Sequence, residues 1–164
     1  MEAEAKHGSL KKTSGGTEIL MQRIFAYPVA QVWAYLTEPS LLAQWLAPGK
    51  IESRVGGVAR LDFSESGITI DSLVTEDVLQ QVVAYSWSGP GEPSRPLRFS
   101  FHAVPDGTCL VLTLHIPDGE DAPRAAAGFE AHLEMLAAAL EGVPIKFPFA
   151  LFKELRSAYQ QSPA

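Results

Sequence analysis

Cysteine is nearly absent from this chain: Cys109 is the one thiol in 164 residues. An intramolecular disulfide is therefore excluded, and a cysteine-built zinc site has too few ligands. Basic runs are missing too. No stretch of Lys and Arg exceeds Lys11-Lys12, and the formal net charge is -6. A surface that grips nucleic acid through its phosphates needs the opposite balance, so no nucleic-acid partner is expected. No apolar run approaches the ~20 residues of a membrane-spanning helix, and no membrane insertion is expected. Met1–Gly16 lacks the apolar core of a signal peptide, which makes a cytoplasmic location the simplest expectation. Catalytic signatures are equally scarce. The chain has no Gly-x-Ser-x-Gly elbow and no phosphate-cradling glycine loop, and it shows no internal repeat.

What is present is ordinary globular material. Apolar residues make up 46% of the chain and charged residues 20%. A length of 164 residues fits one domain with a full core. Met1–Gly16 is polar, ends in Ser14-Gly15-Gly16, and reads as a disordered tail. Glu18–Tyr27 reads as a strand that stops at Pro28. Pro28 opens a short helix with Val29, Val32, Trp33 and Leu36 at helical spacing. Pro39 opens a second, with Leu41, Leu42, Trp45 and Leu46 on its apolar side, and Pro48-Gly49 ends it.

Strand signals then dominate. Gly56-Gly57 marks a tight turn, and candidates follow at Val58–Phe63, Ile68–Thr75 and Val78–Trp87. Leu97–Val104 alternates most cleanly, with Leu97, Phe99, Phe101 and Ala103 on one phase and Arg98, Ser100 and His102 on the other. Pro105-Asp106-Gly107 is a hairpin turn by composition, and Thr108–Ile116 places Leu110, Leu112, Leu114 and Ile116 together. Consecutive strands with short turns imply an antiparallel meander. Arg124–Glu141 reads as a long alanine-rich helix whose stripe is Phe129, Leu133, Leu136 and Leu140. Gly142 and Pro144 end it, and Pro148–Tyr159 reads as a further amphipathic helix. An α+β fold follows: a curved antiparallel sheet of about six to seven strands, two short helices after the first strand, and a long C-terminal helix packed across the sheet. The space between that helix and the sheet is the candidate site.

A metal site needs several convergent ligands. The histidines are His7, His102, His115 and His132. His7 falls in the tail, and His102 and His115 fall on the polar phases of neighbouring strands, so no metal is expected. Cys109 reads as a small half-buried residue. His132 follows Phe129 by three residues and edges toward the space under the helix. Arg23, Arg60, Asp62 and Glu65 lie on or near strands. An inward Arg23 or Arg60 would hold a ligand carboxylate bidentately. The alternative is an outward pair making surface salt bridges, because arginine is seldom fully buried. Arg23, Arg60 and His132 are thus the candidate polar anchors. Trp45, Tyr85, Trp87, Phe99, Phe101, Leu112, Phe129 and Leu133 are the candidate lining, with the Tyr85 hydroxyl or an indole N–H orienting a ligand.

The segment from Arg23 to Leu46 resembles the opening of the activator of heat shock protein 90 ATPase homologue family, within the START, polyketide-cyclase and birch-pollen-allergen superfamily. The matching features are Arg23 on a strand, Pro28, the Val32-Trp33 pair, Pro39 and Trp45. Gly56-Gly57, Tyr85-Ser86-Trp87, and Gly128-Phe129 with His132-Leu133 continue the likeness. It runs from about Thr17 to Gly142 and implies the helix-grip fold for residues 17–142, with 143–164 as an extension. The expected function is binding of a hydrophobic or amphipathic small molecule between sheet and helix, without a cofactor. The superfamily implies a cyclase-, aromatase- or hydrolase-like enzyme as an alternative, which needs at least two titratable groups converging in the cavity. The family implies a protein-interaction module as another. Phe147, Phe149, Phe152 and Leu155 form an apolar stripe that either folds back on the domain or makes a homodimer or partner surface.

Overall fold

The computed structural model describes residues 8–63 and 66–161, so His7 and Glu65 lie outside the described residues. Its strands are β1 (Ser9–Thr13), β2 (Gly16–Phe25), β3 (Gly49–Ile51), β4 (Val58–Phe63), β5 (Ile68–Val78), β6 (Val82–Ser86), β7 (Pro96–Val104) and β8 (Gly107–Pro117). Its helices are α1 (Val29–Thr37), α2 (Pro39–Leu42), α3 (Ala122–Leu140) and α4 (Phe149–Gln161). All eight strands join one antiparallel sheet in the order β1-β2-β8-β7-β6-β5-β4-β3. Strand β2 therefore closes the meander by pairing with its last member.

The two strands beyond the sequence expectation have separate causes. Strand β3 is too short to show any alternation. Strand β1 corrects the reading of Met1–Gly16 as a tail: Ser9–Thr13 pairs with β2 from Leu20 to Gly16. Thr13 faces Gly16 across Ser14-Gly15, and Gly15 supplies a φ of +91° that this two-residue turn requires. An edge strand exposed on both faces carries polar residues, which is why it looked like tail. A second correction concerns the β5–β6 turn. Glu76-Asp77 were expected to separate two strands, yet β5 runs on to Val78 and the chain turns through residues 79–81. A bulge between Val74 and Glu76 resets the alternation, so two acidic residues that resemble a turn stay in the ladder.

Helix α3 lies across the inner face of the sheet. Asp121 caps it, its carboxylate accepting from the Arg124 amide at 3.0 Å. Phe129, Leu133, Leu136 and Leu140 are all buried in the same core as Ile19, Leu97, Phe99 and Leu112. Each such side chain contributes about 1.5–3 kcal/mol on burial, so the stripe holds the helix down. Helix α1 closes one end through Val32, Trp33 and Leu36. Helix α4 packs back on α3 through buried Leu155 and Tyr159, and Arg156 pairs with the capping Asp121. The extension thus covers its own chain, although Phe149 stays 67% exposed. No described helix is long and apolar enough to cross a membrane.

Candidate functional site

Directly opposed residues in antiparallel strands share a face, so the pairing register maps the inner wall. One row across the sheet is Val74, Tyr85, Leu97, Leu114 and Ile19. The next is Asp77, Val83, Phe99, Leu112 and Met21, and a third is Phe101, Leu110 and Arg23. Tyr85, Phe99 and Leu112 thereby line the wall, nearly fully buried. Phe101 packs edge-on against Trp33 at 5.1 Å, which places it under α1 rather than α3.

At the other end of β6 an aromatic column connects the sheet to α3. Trp87 meets Phe129 edge-on at 4.8 Å and Phe63 of β4 at 5.8 Å. Phe63 and Phe129 flank His132 at 6.0 and 6.5 Å. The ring of Phe147, from the segment joining α3 to α4, lies 5.3 Å from the imidazole. Trp45 fixes this arrangement from below. Its indole N–H donates to the Tyr35 carbonyl at 2.7 Å, and its own carbonyl lies 2.8 Å from His132 Nδ1. A carbonyl only accepts, so Nδ1 carries the proton and Nε2 of the neutral ring is an acceptor. Nε2 makes no hydrogen bond to any described residue. Burial pushes the imidazole below the usual histidine range; the Trp45 carbonyl works the other way and loses.

The Tyr85 hydroxyl is the second polar group on this wall. It too makes no hydrogen bond to a described residue, and burial alone raises its ionisation well above the ordinary phenol range. It is therefore a donor throughout the physiological range. Asp77 is the third. It faces inward beside Val83, its Oδ1 is buried without a partner, and burial raises its carboxyl.

The structure brings together Trp45, Trp87, Phe129 and His132, with Leu133 buried one turn along α3 from Phe129. It does not bring the arginines there. Arg23 is inward but reaches Glu134 of α3 at 3.3 Å. Arg60 points outward between buried Ala59 and Leu61 and pairs with Asp71 at 3.6 Å, so it is a surface group and not a cavity anchor. His102 and His115 are also outward; one meets Ser100 and the other Glu18, and they are not cross-strand neighbours of each other. Sequence reasoning missed Phe63, although its phase with Ala59 and Leu61 was readable. It missed Asp77 because the bulge hides the phase. A separate open groove of about 420 Å³ lies by Tyr27, Pro28 and the β7–β8 turn and contains no candidate residue.

A sheet wrapped around one long helix, with two short helices filling the end, defines the helix-grip class. The chain belongs to the family described as activator of Hsp90 ATPase homolog 1-like protein, whose model matches residues 26–141. Among solved structures it is similar to CalU16 from Micromonospora echinospora, with 19% identity, 94% of this chain and 92% of that one covered, and a TM-score of 0.76. The protein encoded by BPP1335 from Bordetella parapertussis gives 24% identity, 95% and 91% coverage and a TM-score of 0.74. DynU16, from the dynemicin biosynthetic locus, gives 25% identity and a TM-score of 0.69 over 77% of this chain and 48% of its own. A search of curated proteins returns no match.

Proposed function

We propose that the chain binds a hydrophobic or amphipathic small molecule between the inner face of the sheet and α3. The observation that carries this reading is a largely apolar wall on which two polar atoms, Tyr85 Oη and His132 Nε2, make no hydrogen bond to a described residue. A polar atom with no protein partner in such a wall is available to a bound molecule. The Tyr85 O–H offers a donor and His132 Nε2 an acceptor, which would orient a molecule held mainly by apolar contact. A structural neighbour from a biosynthetic locus adds support for a small-molecule partner.

The register counts against a carboxylate–histidine acid–base pair. Asp77 faces Val83, whereas the His132 column meets β6 at Trp87. Those positions are four residues apart, about 13 Å along the strand, so the inward carboxylate does not converge with the imidazole. The test is native mass spectrometry of the purified chain, followed by titration with fatty acids and fused aromatic hydrocarbons. A one-to-one complex with a member of either class is the expected result. A chain that carries nothing and takes up neither class at millimolar concentration would sink the reading.

A further inference from the structure

The family match ends at residue 141, and the ring that covers His132 comes from beyond it. Gly142 ends α3 at a φ of +80°, and the strap that follows reaches α4 at Phe149. Pro144 and Pro148 hold it extended. Among the described residues, none of 144–147 exchanges a backbone hydrogen bond with the rest of the chain. Val143 and Ile145 are 63% and 41% exposed. The strap is therefore anchored by the helix cap at one end and by buried Leu155 and Tyr159 beyond the other, and its Phe147 ring, two residues before α4, spans from that helix to His132. That ring, Phe147, meets His132 at 5.3 Å, Phe149 at 4.8 Å and Phe152 at 5.6 Å.

We propose that Phe147 is a built-in stand-in for the ligand, and that the molecule bound here presents a planar aromatic ring bearing a hydroxyl, which replaces Phe147 against His132 and donates to Nε2. This deepens the binding reading above and rests on it. Three observations lead to it. The imidazole sits among the rings of Phe63, Phe129 and Phe147, so its surroundings suit an aromatic ring. Its Nε2 is an acceptor with no described partner, and Phe147 has no atom that could supply a proton to it. The covering segment has fixed ends and no backbone tie between them, so the ring leaves without unfolding either helix. A hydroxylated aromatic keeps the ring contact and adds the missing hydrogen bond. An alkyl chain gives neither.

The experiment compares 2-naphthol, naphthalene and dodecanoate as probes of the full chain and of Phe147→Ala, Phe147→Leu and His132→Phe, by fluorescence titration and by the ¹⁵N resonance of His132 Nε2. The expected result is that 2-naphthol binds and moves the Nε2 resonance. Phe147→Ala should bind it roughly 3- to 10-fold more tightly, because an internal competitor worth one aromatic contact is gone. If the alanine variant fails to fold, Phe147→Leu keeps the apolar bulk and should show the same direction. His132→Phe keeps a ring and loses the acceptor, so its preference for 2-naphthol over naphthalene should fall roughly 3- to 10-fold. Unchanged or weaker 2-naphthol binding by both Phe147 variants overturns the stand-in role. Equal affinity for 2-naphthol and naphthalene overturns the role of Nε2. Dodecanoate binding with no response to either aromatic overturns the proposal while the binding reading stands. No uptake of any probe by any of the proteins overturns both.

Discussion

Helix α3 shows two faces of different character, one turn apart. On the flank toward β2, Glu134 takes Arg23 at 3.3 Å, and Glu130, 1% exposed, accepts a hydrogen bond from the Tyr159 hydroxyl. That hydroxyl in turn accepts the Gly8 amide at 2.5 Å. Chain segments from both ends of the molecule thus supply partners to one helix. On the flank toward β4 and β6 the contacts are rings, and His132 Nε2 and Tyr85 Oη make no hydrogen bond to a described residue. The polar flank is not complete either, because Arg23 Nη2 is buried without a partner, yet its carboxylates and hydroxyl tie α3 to β2 and α4, whereas the polar atoms of the ring flank tie nothing together. The first flank reads as architecture and the second as a place where something else binds.

The same substitution on each flank separates these readings. Tyr159→Phe removes one hydroxyl that both donates to Glu130 and accepts from Gly8. It strips a donor from a buried carboxylate and should destabilise the chain by about 1–3 kcal/mol, read as a lower urea midpoint at constant slope. A loss under about 0.5 kcal/mol would mean that the polar flank contributes little and that the contrast between the two is empty.

Acid should sharpen the difference from the other side. His132 is held below its ordinary value by burial, so the folded state resists a proton that the unfolded chain accepts near pH 6.5. The stability this neutral ring contributes is complete above pH 6.5. It falls as pH drops from there through the folded-state value, at no more than about 1.4 kcal/mol per pH unit for one proton. His132→Phe should lose that slope between pH 6.5 and 5, and comparing the two proteins cancels the groups they share, among them the raised Asp77 carboxyl. Urea titrations across that range with the same slope in both proteins would show that the imidazole is solvated.

How much of this was readable beforehand depends on the local signal. The ridge Phe129–Leu140 and the alternation in Leu97–Val104 are dense, regular patterns; the ridge buries as read, as do Leu97, Phe99 and Phe101, while Ala103 lies exposed and Ser100 is buried. Strand β1 was unreadable because an edge strand is polar on both sides, and its only marker was the Ser14-Gly15 turn. Asp77 was unreadable because one bulged residue, Thr75, inverts the phase of everything after it. His132 was visible as a helix residue near Phe129, yet its tautomer depends on the Trp45 carbonyl, 87 positions away in sequence. Arg60 shows the limit from the opposite direction. Its type suited an anchor, and only the phase set by Ala59 and Leu61 sends it outward to Asp71.

The smallest expected effect is the most informative. Tyr85→Phe makes the same chemical change as Tyr159→Phe, at a hydroxyl that touches no described hydrogen-bond partner. Removing a hydroxyl that makes no described hydrogen bond forfeits no partner, so the variant should be unchanged or slightly more stable, within about 0.5 kcal/mol of neutral or above it. Ligand affinity should move the other way, because the donor on the wall is gone. Stability retained while binding weakens is the signature of a group kept for function at some expense of the fold. Should Tyr85→Phe instead lower the urea midpoint as far as Tyr159→Phe does, the hydroxyl has a structural partner. The two flanks would then differ only in residue type and not in role.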